Sequence, residues 1–151
     1  MIVSANRQFF GRLFFLTVSF LFFSCSHNGS GADQKKFIAK KWSLVAMDNL
    51  DRLKKYSQSP DDEALLDRIE KDIPITTWTF NDQMKVEMKA GDSVLRACTY
   101  KLSTDGKSLE ITDPRKGSTN TYTVSKLDAD SLVITPDGNV VDVTMHFKAK
   151  R

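Results

Sequence analysis

The chain has 151 residues, with 22 Lys+Arg against 19 Asp+Glu and a formal charge of +3 at neutral pH. That length bounds it to one domain with a sizeable interior. The basic residues are scattered in pairs such as Lys35-Lys36, Lys40-Lys41 and Lys54-Lys55, which is no footprint for nucleic acid.

The first residues read as a targeting segment. Arg7 and Arg12 supply a positive start, and the eleven residues Leu13 to Phe23 then run without a charge. As a helix that run spans about 16 Å at ~1.5 Å per residue, too short for a bilayer core that needs roughly 20 residues. It therefore reads as the apolar centre of a signal peptide. Leu21-Phe22-Phe23-Ser24-Cys25 resembles a lipobox, the site where lipoprotein signal peptidase cuts. Ser24 and Cys25 match that pattern, and Phe22 stands where its strict form has Leu. The resemblance implies cleavage before Cys25 and lipid attached to it; the alternative is an ordinary signal peptide in which Cys25 is incidental. Bacterial lipoproteins carry several acyl chains on this cysteine, and at about 0.8 kcal/mol per buried CH₂ several chains make retention effectively permanent. Small polar residues from Ser26 to Asp33 then look like a flexible tether.

The expected layout is a signal peptide over 1–24, the lipidated Cys25 and tether over 25–36, and a folded domain over 37–151. Loss of Arg7 and Arg12 leaves 20 basic against 19 acidic side chains in the mature chain. With Cys25 lipidated, Cys98 has no intrachain partner, so the exported domain stands on its core alone.

From Phe37 onward, short alternating segments are separated by turn signals, the pattern of an all-β domain. Met84, Val86 and Met88 point one way and Lys85, Glu87 and Lys89 the other. Eight strands are expected: Phe37–Met47, Ile75–Phe80, Met84–Lys89, Ser93–Leu102, Ser108–Thr112, Ser118–Leu127, Ser131–Thr135 and Val140–Lys148. Ala90-Gly91-Asp92, Asp105-Gly106 and Asp137-Gly138 suit tight turns, and Asp113 to Gly117 a slightly longer one. Such short links join strands antiparallel in an up-and-down meander. The link between the first two strands is long. Ser59 as N-cap, Pro60 at the first helical position and the acids Asp61, Asp62 and Glu63 open a helix there. Leu65, Leu66 and Ile69 form its apolar stripe, Pro74 closes it, and Leu50, Leu53 and Tyr56 suggest a shorter helix before it. This helical insertion either caps one end of the sheet or packs outside. Closing eight sequentially paired strands into a barrel removes both edges.

Lys41-Trp42-Ser43-Leu44, Trp78-Thr79-Phe80 and the eight strands in order resemble the lipocalin-like (calycin) domains of small bacterial lipoproteins, over residues 37–149. Trp42 matches the tryptophan of the Gly-x-Trp motif, with Lys40 in the glycine position. The family also implies a basic residue late in the chain covering that tryptophan, for which Lys148, Lys150 and Arg151 are the candidates.

Catalytic equipment is sparse, and no enzyme, cofactor or metal site is expected. His27 lies in the tether, and His146 is out of phase with Val141, Val143, Met145 and Phe147. Alternation puts Val94, Arg96, Cys98, Tyr100 and Leu102 on one face of the fourth strand. If that face is internal, the Arg96 guanidinium must meet an anion, reach the rim or pair with a structural acid. Arg96, Tyr100, Tyr122 and Trp78 are therefore the candidate ligand-binding residues. Cys98 reads as a small buried hydrophobe. The inward set Trp42, Trp78, Phe80, Met84, Met88, Tyr100, Tyr122, Met145 and Phe147 nearly fills so narrow a barrel, so a pocket is expected to be small and near one mouth.

The functional expectation is a lipid-anchored domain of the bacterial cell envelope that binds a small apolar or amphipathic ligand. The alternative is a filled barrel that docks an envelope protein. Ser26 after the cysteine resembles lipoproteins of the outer membrane, and the tether lacks an acidic cluster, which places the domain facing the periplasm. Cys25→Ala is expected to move the protein from the washed membrane fraction into the soluble fraction; retention of the variant on membranes would falsify lipid anchoring.

Overall fold

The computed structural model describes residues 31–57, 59–138 and 141–150. Cys25, His27, Val140 and Arg151 lie outside the described residues. The element order is α1 (Gly31–Ile38), β1 (Lys41–Met47), α2 (Leu50–Lys55), α3 (Pro60–Asp72), a 3₁₀ turn (Ile73–Ile75), β2 (Thr76–Phe80), β3 (Lys85–Ala90), β4 (Ser93–Leu102), β5 (Ser108–Asp113), β6 (Ser118–Leu127), β7 (Ser131–Pro136) and β8 (Met145–Ala149). The strands form one closed antiparallel barrel in sequence order, with β8 pairing back onto β1.

The expected strands and the helical insertion between the first two are present, with four local corrections. Phe37 and Ile38 belong to helix α1, not to the first strand, and α1 also takes up residues 31–36, read from sequence as tether. Met84 does not point inward: it turns at φ 57° and is 55% exposed, held where Asn81 Oδ1 accepts the backbone N–H groups of Gln83 and Lys85. The last strand starts at Met145; Val141 and Val143 are buried without being strand residues. The fourth concerns the phase of β4, below.

The barrel has a plugged end and an open end. At the plugged end lie the turns after β2, β4 and β6, and α1 crosses it. Ile38 of α1 is buried in the core, and its carbonyl accepts the Trp42 indole N–H at 3.0 Å, satisfying a helix-terminal acceptor. Lys40 Nζ sits 5.4 Å from the Trp42 ring and donates to the Ala129 carbonyl at 2.9 Å. The cation over Trp42 is thus Lys40, two residues earlier in the chain; Lys148 and Lys150 have no such contact among the described residues. Trp42, Phe80, Leu109, Leu132, Ile134 and Phe147 fill this half of the lumen, all essentially inaccessible to water. Burying each such side chain contributes about 1.5–3 kcal/mol.

The helical link lies toward the opposite end. Ser59 Oγ accepts the Asp62 N–H at 3.1 Å and Pro60 opens α3, as the sequence pattern requires. Lys54 clips α2 to α3 through Asp67 at 2.8 Å and Glu70 at 2.6 Å, which hold its ammonium pKa above the usual lysine range and draw that of Asp67 down. Leu50 and Leu66 are buried but stand apart from the barrel core, so the link packs beside β1 through the 3₁₀ turn and leaves the lumen to α1.

Gly106 shows how α1 is held. It adopts φ +68° in the β4–β5 turn, and a methyl at its Cα would overlap the Gln34 amide of α1. Gly117 has a similar φ of +64° with nothing near it. An L side chain in this region costs about 1–2 kcal/mol. Gly117→Ala is expected to show that cost alone, and Gly106→Ala to lose more by displacing α1. The comparison is read as two thermal unfolding midpoints, where each kcal/mol shifts a domain of this size by roughly 4–8 °C; equal shifts would mean α1 contributes nothing.

Candidate functional site: the open mouth of the barrel

Cross-strand register builds the open end. Trp78 on β2 faces Met88 on β3, and Met88 faces Arg96 on β4. On the other wall Ile111 of β5 faces Asn120 of β6. Side chains of directly opposed residues share a face of the sheet, so these rows converge with Leu95, Cys98, Asp113 and Tyr122 on one cavity of about 270 Å³.

The floor is aromatic. Trp78 meets Tyr122 edge-on at 6.1 Å across the lumen and lies 5.0 Å from the Phe147 ring. Such pairs add about 0.5–1.5 kcal/mol beyond their area. They seal the mouth from the packed half below. Neither the Trp78 indole N–H nor the Tyr122 hydroxyl has a hydrogen-bond partner among the described residues.

Two devices place Arg96 at the rim. First, β4 pairs with β5 only from Thr99 to Leu102, with Cys98 level with the last β5 residue, so Ser93–Ala97 rises past the end of β5. Second, a bulge between Met88 and Lys89 sets Val94 opposite Lys89 and leaves Leu95 as the extra residue. Strict alternation therefore fails above Arg96: Val94 shares the outer face with Lys89, and Leu95 turns to the mouth. Arg96 is exposed, and no carboxylate pairs with it among the described residues. Of the possibilities raised by its position, it reaches the rim; it does not pair with a structural acid.

The four candidate residues are not all together. Arg96, Tyr122 and Trp78 line the mouth, whereas Tyr100 lies at the plugged end, where its hydroxyl donates to the Asn81 carbonyl at 2.9 Å and its ring packs edge-on against Phe80 at 4.9 Å. Four residues of β4 separate it from Arg96, about 13 Å. Period two places both on one face without saying that they stand at opposite ends. His146 is half-buried, its Nε2 2.7 Å from Asp48 Oδ2, and it does not line the mouth. No three His, Cys, Asp or Glu side chains converge on a metal position among the described residues.

Asp113 is the residue that sequence reasoning passed over as a turn acid. It is the last residue of β5, in phase with the buried Leu109 and Ile111, and that phase was the signal available. The residue is 6% exposed, with Oδ1 accepting the Arg115 N–H at 2.9 Å. The electrostatics tie these groups together. Burial pushes the Tyr122 phenol up, and the Arg96 cation draws it back. Burial and the Asp113 carboxylate push the Cys98 thiol up, while Arg96 and Arg115 oppose them.

A larger groove, about 490 Å³, runs along the outer face where Thr79, Glu87 and Ala97 stand in one row beside Pro114. Outward-facing side chains wall it and Lys85 and Glu87 flank it, so it lacks the enclosed apolar floor of a small-molecule site. The mouth has that floor.

No family model and no curated protein matches the chain. Among solved structures, the fold is similar to the crystal structure of a DUF4847 family protein from Bacteroides vulgatus, with a TM-score of 0.51 and 9% identity over 78% of this chain and 96% of that one. That likeness shows the barrel architecture alone.

A raised thiol pKa and burial make Cys98 unreactive, because the thiolate is the nucleophile. In a Cys25→Ser chain at pH 8, a disulfide reagent is expected to modify Cys98 at least ~10-fold more slowly in the folded state than in urea. Equal rates would place the thiol in open solvent.

Proposed function

We propose that this protein is a lipid-anchored binding protein of the bacterial cell envelope, attached through Cys25 and facing the periplasm from the outer membrane. In this reading the open mouth takes a small amphipathic molecule. The observation that carries it is an unpaired guanidinium, Arg96, over an apolar floor of Trp78, Met88 and Ile111. An anionic head meets Arg96, and a short apolar body rests on the floor. Donors on Trp78 and Tyr122 that have no protein partner among the described residues supply further hydrogen bonds. A few convergent polar groups above an aromatic surface are the usual composition of a small-ligand site. The cavity is shallow because the lumen below it is filled, so a long chain has no room within the barrel.

A second reading has its own observation. Val94 and Leu95 on the β3–β4 hairpin are 54% and 50% exposed, and Ile75 beside them is 48% exposed. An apolar rim of this kind suits docking of an envelope protein.

Two measurements decide between them. Mass spectrometry of small molecules extracted from the protein purified from its native host is expected to find a bound amphiphile; empty preparations move the function to docking. Arg96→Ala is expected to change stability by less than about 0.5 kcal/mol, because the side chain is exposed and unpaired, and to weaken hexanoate binding roughly 10-fold or more. Unchanged hexanoate affinity in the variant removes Arg96 from the site.

A further inference from the structure

The mouth holds two opposite charges that do not pair with one another. Arg96 and Asp113 line the same cavity, yet no ion pair joins them. Asp113 is more than nine-tenths buried. Its Oδ1 accepts the Arg115 N–H, and the Arg115 Nε stands 3.9 Å from that same oxygen on a side chain that is itself 70% exposed. Oδ2 has no protein hydrogen-bond partner among the described residues and is not a buried orphan atom, so it opens onto the cavity. Turn formation needs only Oδ1, because the Asp113 backbone carbonyl already receives Lys116 and Gly117. The second oxygen therefore remains for a donor that enters the cavity.

We propose that the mouth recognises a zwitterion: an ammonium group at Asp113 Oδ2 and an anionic group at Arg96, with the apolar part of the molecule on Trp78 and Ile111. This rests on the binding reading above and narrows it from any anionic amphiphile to one that also carries a cation. The cavity of about 270 Å³ corresponds to about nine waters at ~30 Å³ each, the size of a six-carbon amino acid. The same pairing of ammonium and anion occurs in an ethanolamine phospholipid headgroup. Because aromatic side chains close the lumen beneath the mouth, a lipid would leave its acyl chains outside. Among the residues lining the cavity, Asn120, the Tyr122 hydroxyl and the Trp78 indole are neutral; the one further charge beside it is Arg115, which stands at Asp113 Oδ1 and leaves Oδ2 to the cavity.

The test uses fluorescence of the full chain. Trp42 is sealed in the plugged half, so a binding-dependent change reports Trp78. Four probes are titrated: L-norleucine, dihexanoylphosphatidylethanolamine, hexanoate and hexylamine. A zwitterion probe is expected to bind roughly 10- to 100-fold tighter than hexanoate, the range for one hydrogen bond to a charged group. Asp113→Asn keeps the Oδ1 acceptor and is expected to reduce that probe to the affinity of hexanoate, leaving hexanoate itself unweakened. If norleucine shows the gain, the source is a free zwitterion; if only the phospholipid shows it, the source is a headgroup. Hexanoate binding as tightly as both zwitterions overturns this proposal and leaves the binding reading intact. No binding by any probe overturns both. Should Asp113→Asn fail to fold, the ranking of the four probes on the unmodified protein decides the matter by itself.

Discussion

The β1–β8 pairing is the contact on which the rest of the structure depends. Trp42 faces Trp78 on β2 and Ala149 on β8, and Leu44 faces Phe147, so one strand joins the two ends of the sheet. Without that seam β1 and β8 present free edges and the aromatic lining has no opposite wall. The seam also decides which end is shut. The Trp42 indole holds the α1 carbonyl terminus, and Lys40 covers the ring while reaching the β6–β7 turn. In the lipocalin-like resemblance that cation is expected from the far end of the chain. Here the lysine in the glycine position is two residues away and supplies it locally, so closure and plugging are set by one short segment.

How much of this was legible follows from where local rules suffice. Period-two alternation marks strands wherever one face is buried and one is wet, and β4 and β6 match their expected bounds at both ends. Ser59-Pro60 and the acids after it mark α3 because capping is a local interaction. The misses come from interactions that a local pattern does not contain. Phe37 and Ile38 look like strand because they are apolar; they are helical because the barrel end offers Ile38 a buried seat. Met84 looks like the first inward residue of β3, but Asn81 accepts two backbone donors there and winds the turn through it. Leu95 changes face because a bulge inserts one residue, which sequence alternation on a single strand cannot register.

The face on which the candidate residues stand was legible in the sequence, and their depth in the barrel was not. Alternation correctly sets Arg96 and Tyr100 on one face, but depth within a barrel depends on strand stagger, and stagger is a property of neighbouring strands. Because β4 outruns β5, Arg96 stands at the rim, where its charge stays solvated, and Tyr100 sinks to the plugged end. The same stagger brings the last residue of β5 level with Cys98, which is how a turn-forming aspartate comes to face a cavity.

The filled lumen bears directly on what kind of recognition this barrel can perform. A hollow barrel selects by the length and shape of an apolar ligand, because most of the binding free energy is area removed from water. Here the sealed half leaves only the space above Trp78 and Tyr122. Burying one short apolar chain contributes about 1.5–3 kcal/mol, while association costs at least ~4 kcal/mol in lost freedom. Apolar contact in so shallow a site cannot offset that cost alone. In the proposed site, affinity must come from charged and hydrogen-bonding groups held in place before a ligand arrives, and the mouth holds candidates: a guanidinium on a bulged strand, a carboxylate fixed by its own turn, and two aromatic donors packed edge to face. Selectivity in this barrel is therefore expected to follow the head of the ligand and not the length of its tail.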